Sequence, residues 1–317
     1  MAPYKKAILE RLVKRRNAPG PARRGFAFAP GHVTGFFTPA VGARDPRARG
    51  STGAGVVIAL GATAEVRWQP GGPSRVSVSA DVPGPLPISE EVARRLVPPR
   101  SGRVTVRLTH QLPVSQGFGM SAAGALSTAL SLAGLFGISR QRAVEVAHLA
   151  ELFGGGGLGG VAAILGGGLE FRVQPGVPPY GRVVHRPFPP PLFVGVVGGP
   201  IPSPRVLGDP RVLRRIAASA QAVWNANRAP SLVEFLDASE RFTDDVRLAS
   251  PSLRRTLGAI RSAGGWASQA MFGRSFFAVP RSGTARRRLL RELERRGIHA
   301  VELLASRVGA SGRGSPV

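Results

Sequence analysis

The segment Pro113-Val-Ser-Gln-Gly-Phe-Gly-Met-Ser-Ala-Ala-Gly-Ala-Leu holds the residue types from which an anion site is built. Gly117 and Gly119 permit a tight turn and a close approach of main chain to a ligand. Ser121 follows, at the head of a run of small apolar residues that reads as a helix. The first turn of any helix leaves N–H groups unpaired and carries about half a positive charge, which suits phosphate oxygens. Ala122, Ala123 and Gly124 keep that end open, and the Ser121 hydroxyl can bond a phosphate or help hold Mg2+. Other phosphate-binding schemes fit less well. There is no G-x-x-x-x-G-K-[ST] string and no lysine after Lys14, so the P-loop arrangement is excluded in its usual form. The βαβ context and downstream acid of a dinucleotide fingerprint are also missing. A glycine pair alone would be no more than a flexible turn; the full string says more.

The elements that must hold this loop can be read coarsely. Strands are expected at Val33–Phe37, Gly55–Leu60, Ala64–Trp68, Arg75–Ala80 and Arg103–Leu108, the last two alternating with period two. Pro83–Pro87 reads as a turn. The loop feeds a helix over Ser121–Phe136 that closes at Gly137, and Ser139 is positioned to cap a second helix, Arg140–Phe153. A glycine run, Gly154–Gly160, a short helix and a strand at Leu169–Val173 complete the first half. The proline-rich stretch Pro175–Pro191 marks a boundary. Beyond it, strands at Leu192–Val197, Phe276–Val279 and His299–Leu304 mix with helices at Arg211–Asn225, Ser231–Leu248, Pro251–Ala263 and Thr284–Arg296, an α+β sandwich.

Composition narrows the function classes. With 317 residues the chain is long enough for two domains, and 43% apolar content is that of a globular protein. No apolar run reaches the roughly 18–20 residues of a membrane span, and the basic N-terminus lacks the apolar stretch of a secretory signal. A cytoplasmic location is expected. The absence of cysteine removes disulfides, thiolate catalysis and thiolate zinc sites; the five scattered histidines form no HxxxH pair. A hard cation held by carboxylate and phosphate oxygens remains open. The net charge of +25 taken alone points to a polyanion. Its three lysines all precede residue 15, however, and the arginines are spread along the whole chain, as biased residue usage would leave them. A nucleic-acid-binding protein would pair clustered arginines with exposed aromatics, and aromatics are only 6% here.

The string PVSQGFGMSAA resembles motif 2 of the GHMP kinases, P-x-x-x-G-L-G-[SG]-S-A-A, with Phe118 and Met120 as the departures. Neighbouring segments resemble one branch, the archaeal pantoate kinases: Phe28-Ala-Pro-Gly-His32-Val-Thr-Gly, Asp45-Pro-Arg-Ala-Arg-Gly-Ser-Thr-Gly-Ala-Gly55, Ala147-His148-Leu-Ala-Glu151 and a degenerate motif 3 at Ala263–Gly273. The likeness runs from about Phe26 to Leu304. It implies an α+β, two-domain GHMP kinase fold: an N-terminal α/β domain with a left-handed crossover, and a C-terminal ferredoxin-like domain. The expected divisions are a basic extension at 1–24, an ATP-binding domain at 25–185, a C-terminal domain at 186–308 and a disordered tail at 309–317. The implied reaction converts ATP and (R)-pantoate to ADP and 4-phosphopantoate, a step towards coenzyme A, with ATP and Mg2+ as cofactors and a homodimer as the assembly.

Residue by residue, the likeness assigns nucleotide contact to Pro113, Gly117, Gly119, Met120, Ser121, Ala122 and Ala123. Ser121 and Glu151 become the catalytic, metal-holding pair. Glu151 shares a helix face with His148 three residues before it; without the motif it would read as a solvated helix carboxylate. Ser51, His148, Arg172 and Ser203 become the substrate contacts, with Arg172 suited to a bidentate grip on a carboxylate. One position breaks the pattern. The branch has T-G-L-G-D-V after the glutamate, and here Gly160 stands where that aspartate, a presumed catalytic base, is expected. Either turnover is impaired, since general-base help contributes ~10²–10⁴-fold, or positioning and charge neutralisation suffice, with Glu170 or Asp209 as nearby carboxylates. A kinase for another hydroxylated substrate such as mevalonate, homoserine or shikimate, and a non-catalytic ligand-binding relative, are the competing readings.

Overall fold

The structure is a computed structural model that describes residues 22–82, 84–201, 206–224 and 230–316. Most of the expected basic extension, Ser203 and the end of the helix expected to reach Asn225 lie outside the described residues. The chain builds two sheets. Strands β1 (Arg23–Ala40) and β2 (Gly50–Gln69) form a long antiparallel ribbon, longer than the separate short strands expected, because the register shifts at Pro30/Gly31 and Thr34/Phe36 bend it without breaking it. The first half of β2 pairs with β5 (Gly168–Gln174) and the second half with β4 (Arg103–His110). β3 (Arg75–Ala80) runs parallel to β4, and β6 (Arg182–Arg186) pairs with β5.

Helix α1 (Pro87–Leu96) connects β3 to β4; the expected turn at Pro83–Pro87 ends where it begins, and no helix was expected beyond it. Its proline sits in the first turn, where a missing N–H costs nothing, and its buried face is Val92, Ala93 and Leu96. Helices α2 (Met120–Phe136) and α3 (Arg140–Phe153) then pack on the sheet. α2 is buried nearly all round, which its small apolar residues permit. α3 is capped by the Ser139 side chain accepting from the Arg142 amide, and the single-turn α4 (Gly160–Ala163) follows the glycine run.

The second unit is a four-stranded antiparallel sheet in the order β10 (Ala300–Leu303), β7 (Leu192–Val196), β9 (Ser275–Pro280), β8 (Gly265–Gln269). Its helices are α5 (Pro210–Val223), α6 (Leu232–Val246), α7 (Pro251–Ser262) and α8 (Gly283–Arg295). A β-α-β-β-α-β chain order with spatial order 4-1-3-2 is ferredoxin-like, as expected. Its own core is built on Phe193, Leu253, Ile260, Phe276 and Leu289. α5 and α6 also lie against β1, with Phe36 between Trp224 and Phe235.

The chain leaves the first sheet after β6 and enters the second at β7, so it crosses at residues 187–191, within the proline-rich stretch Pro175–Pro191. The end of the chain differs from expectation. The tail is not disordered: after β10 the chain returns to the first sheet through an Ile58–Ala305 bridge, and β11 (Ser311–Pro316) pairs with β1. Gly312 and Gly314 carry no side-chain pattern, so the pairing is a main-chain affair that periodicity cannot reveal. Among the described residues no helix is long and apolar enough to cross a membrane.

Candidate active site

The N-terminus of α2 opens on a cavity of about 260 Å³ at the junction of the two units. The preceding loop is pinned from both sides. The His32 amide donates to the Phe118 carbonyl (3.0 Å), the Ile201 amide to Ser115 (3.1 Å), and Gln116 Nε2 to Gly198 (2.8 Å), while Ser275 Oγ donates to the Gln116 carbonyl. Gly117 and Gly119 have φ of 76° and 70°, a region L side chains rarely enter. A Cβ on either would run into protein, the Ala270 carbonyl for Gly117 and the His32 backbone for Gly119. The glycines therefore let the loop pack, which is a different need from the open ligand approach expected of them. No side chain caps α2, leaving its first amides available to an anion.

Ser121 and Glu151 meet. Ser121 Oγ donates to Glu151 Oε1, and the Gly157 amide donates to Oε2 (2.8 Å). Burial pushes the Glu151 carboxyl above the usual carboxylate range, against those two hydrogen bonds. Among the described residues no cation offsets it, and no cluster of three or more acidic or imidazole side chains occurs. One carboxylate and one hydroxyl beside an uncapped helix end fit Mg2+, which keeps waters and phosphate oxygens as its other ligands.

Across the cavity the strands present a second cluster. His32 and Thr34 come from β1, Ser51 from β2, and Arg172 from β5. Glu170, fully buried, accepts from His32 Nε2 (2.8 Å) and from Arg172 Nη1. The His32 ring crosses β2 over Gly55, the register partner of Glu170, where a Cβ would fall on the ring. Burial raises the Glu170 carboxyl, but Arg172 and His32 outweigh it and hold it below the usual range. Burial, ahead of the opposing Glu170 bond, holds His32 below the usual imidazole value. Arg172 Nε is buried without a partner, and a Cβ at Gly159 would stand 2.8 Å from it and 2.5 Å from Ser51 Oγ. Residue 159 must therefore be glycine if Arg172 and Ser51 are to face a ligand. Phe37, Ile88, Ile201, Met271 and Phe272 form the apolar walls.

Of the expected site residues, Gly117, Gly119, Met120, Ser121, Ala122, Glu151, Ser51 and Arg172 line this one cavity. Pro113 and Ala123 do not; Ala123 is fully buried in the helix behind. Nor does His148. It is buried beneath the 3-10 turn Pro46–Ala48, with the Pro46 and Arg49 backbone against its ring and Nε2 unpartnered, so it backs the turn leading into Ser51. Asp209 is not at the site either: it caps α5. Sequence reasoning gave Thr34 and Gly55 no role. The oppositely charged Glu170 and Arg172 in an apolar strand were the available signal for the cluster.

Residues 88–168 match the family model for the GHMP kinases N terminal domain. A pantoate kinase of Methanospirillum hungatei is 30% identical over 260 residues, covering 80% of this chain and 86% of that one. The chain belongs to the GHMP kinase family. A pantoate kinase of Thermococcus kodakarensis is 40% identical over 161 residues; that match spans 49% of this GHMP kinase and about half, 53%, of the relative. Among solved structures, a phosphotransferase related to the CoA biosynthesis pathway superposes with a TM-score of 0.82 at 28% identity, over 91% of this chain and 98% of that one. The mevalonate kinase of L. major, in complex with R-mevalonate, shares the fold at a TM-score of 0.61 and 17% identity, over 92% and 99%.

Proposed function

We propose that this GHMP kinase transfers the γ-phosphoryl group of ATP to the primary hydroxyl of pantoate, giving 4-phosphopantoate. The observation that carries the reading is the polarity of the cavity: a phosphate-suited end, the uncapped α2 with Ser121 and Glu151, faces an Arg172 guanidinium whose Nε lacks a partner. A carboxylate with a hydroxyl a few bonds away spans such a pair of ends, and the relatives named pantoate kinase favour that acid. Arg172 and Ser51 hold the carboxylate end, the α2 amides take the phosphates, and the apolar walls exclude water. Glu151 and Ser121 hold Mg2+, which neutralises charge on the transferring phosphates when bound.

Gly160 favours one second reading, a ligand-binding relative that does not turn over. ADP release from Mg-ATP, with and without pantoate, separates the two, and a panel with mevalonate, homoserine and shikimate tests the acid. Pantoate-dependent ADP is expected. Binding of pantoate and ATP by calorimetry without ADP would establish the second reading, and ADP release with another acceptor alone would replace the substrate.

A further inference from the structure

Transfer to a hydroxyl releases a proton, and the cavity must provide somewhere for it to go. Position 160 supplies no side chain. Glu151 is engaged by Ser121 and the Gly157 amide. Glu170 is enclosed behind His32 and Arg172 and does not line the cavity. Arg172 has no lone pair to offer. Among the described residues lining the cavity, the imidazole of His32 is the remaining base.

Its geometry is that of an oriented base. A carboxylate accepts only, so the bond to Glu170 places the ring proton on Nε2 and leaves the lone pair on Nδ1. Thr34 Oγ1 stands 3.4 Å from Nδ1, too long for a good O–H···N bond, so Nδ1 is available. Both residues line the cavity that Arg172 and Ser51 also line. The charged and titratable groups around the ring are Glu170 and Arg172 on β5 and His185 on β6; Glu151 lines the same cavity from α3.

Resting on the kinase reading above, we infer that His32 Nδ1 is the proton acceptor for the substrate hydroxyl, with Glu170 as its positioning residue. As the hydroxyl oxygen bonds to the γ-phosphorus, the bond from that phosphorus to the ADP oxygen breaks. The hydroxyl proton moves to Nδ1, the electron pair of the broken bond leaves with ADP, and Glu170 faces the imidazolium that forms. The proton passes to solvent after release. This is the logic of a carboxylate–imidazole–hydroxyl triad in which the hydroxyl belongs to the substrate.

The test is His32→Gln, whose amide can keep the bond to Glu170 but cannot take a proton, beside Thr34→Val. The readouts are kcat, KM for pantoate, ATP and pantoate affinity by calorimetry, and the pH profile of kcat/KM. His32→Gln is expected to lower kcat by about 10²-fold or more while both affinities stay within about threefold. The wild-type profile should fall on the acid side as His32 protonates, and His32→Gln should lose that limb. Thr34→Val should keep the limb. His32→Gln with near-wild-type kcat, or with the acid limb intact, overturns the assignment alone. A wild type that binds both ligands and releases no pantoate-dependent ADP overturns the kinase reading and this one with it. Should His32→Gln not fold, the wild-type profile decides: because His32 is held below the usual imidazole value, a kcat/KM that stays flat from about pH 7.5 down to the acid limit of the folded protein overturns the inference.

Discussion

Two glutamates, Glu151 lining the cavity and Glu170 behind its His32 and Arg172, are both enclosed, and their carboxyls are driven in opposite directions. Glu170 has Arg172 and His32 against it and is held below the usual range, with desolvation outweighed. Glu151 has a hydroxyl and an amide, and desolvation pushes it up. The acceptor end is thus electrically complete within the chain. At Glu151 no fixed cation among the described residues plays that part. Burial alone does not set the state of an acid; the number of fixed cations within reach does.

The strongest way to break this contrast is Glu170→Gln. It leaves a buried guanidinium without a counter-charge, and removing one partner of a buried pair costs about 3–5 kcal/mol. Denaturant unfolding should show that loss together with weakened pantoate binding. Because the folded Glu170 is depressed, its contribution is present above the usual carboxylate pKa and is lost as pH falls through the lower folded value. Wild type and variant should therefore converge in acid.

Glu151→Gln comes next. It should lower kcat by roughly 10²–10³-fold, as loss of a group holding charge at a reacting phosphate does. Its stability should move the other way. A raised carboxyl contributes its full stability below the ordinary carboxylate value, and that contribution is lost as pH rises through the raised folded value. At neutral pH without metal, Glu151→Gln should melt above wild type, and Mg2+ with ATP should narrow the gap by stabilising wild type more than the variant. A variant that melts below wild type under metal-free conditions would show that Glu151 is already compensated.

Gly55→Ala sharpens the comparison from the side of the sheet. Its methyl displaces the His32 ring from Glu170, an overpacking cost of about 1–3 kcal/mol, and should reduce kcat while leaving ATP affinity unchanged. The smallest effect is expected from Gly160→Asp. A Cβ there stands 2.8 Å from Ala122 Cβ and meets no main chain, so a small shift admits it, and with His32 as the base kcat should change by less than about threefold. A gain of the order of general-base catalysis, ~10² or more, would show that the missing carboxylate limits turnover.

The loop and helix of the phosphate end were legible because their chemistry is local: glycines at fixed spacing, then a hydroxyl opening a helix. Arg172 and Glu151 were legible through motifs around them. The His32–Gly55–Glu170 crossing was not, since it joins three strands distant in sequence and depends on the absence of a side chain in the middle one. α1 was hidden by Pro87, read as the end of a turn although a proline is at home in a first turn, with the period of Val92, Ala93 and Leu96 as the overlooked signal. His148 shared a helix face with Glu151, as its spacing required, yet the turn at Pro46–Ala48 covers it, and no local pattern announces such a cover.

The return of the chain to its own beginning has a consequence for how the protein is made. β1 leaves the ribosome well before its neighbour β11, with nearly the whole of both sheets made in between. At about 5–20 residues per second, β1 spends on the order of tens of seconds with one edge unpaired. Through that interval the growing chain exposes a strand edge of the kind that recruits foreign strands, so nascent-chain chaperones should find their main substrate here at the N-terminal edge of the first sheet, well before the site it supports exists.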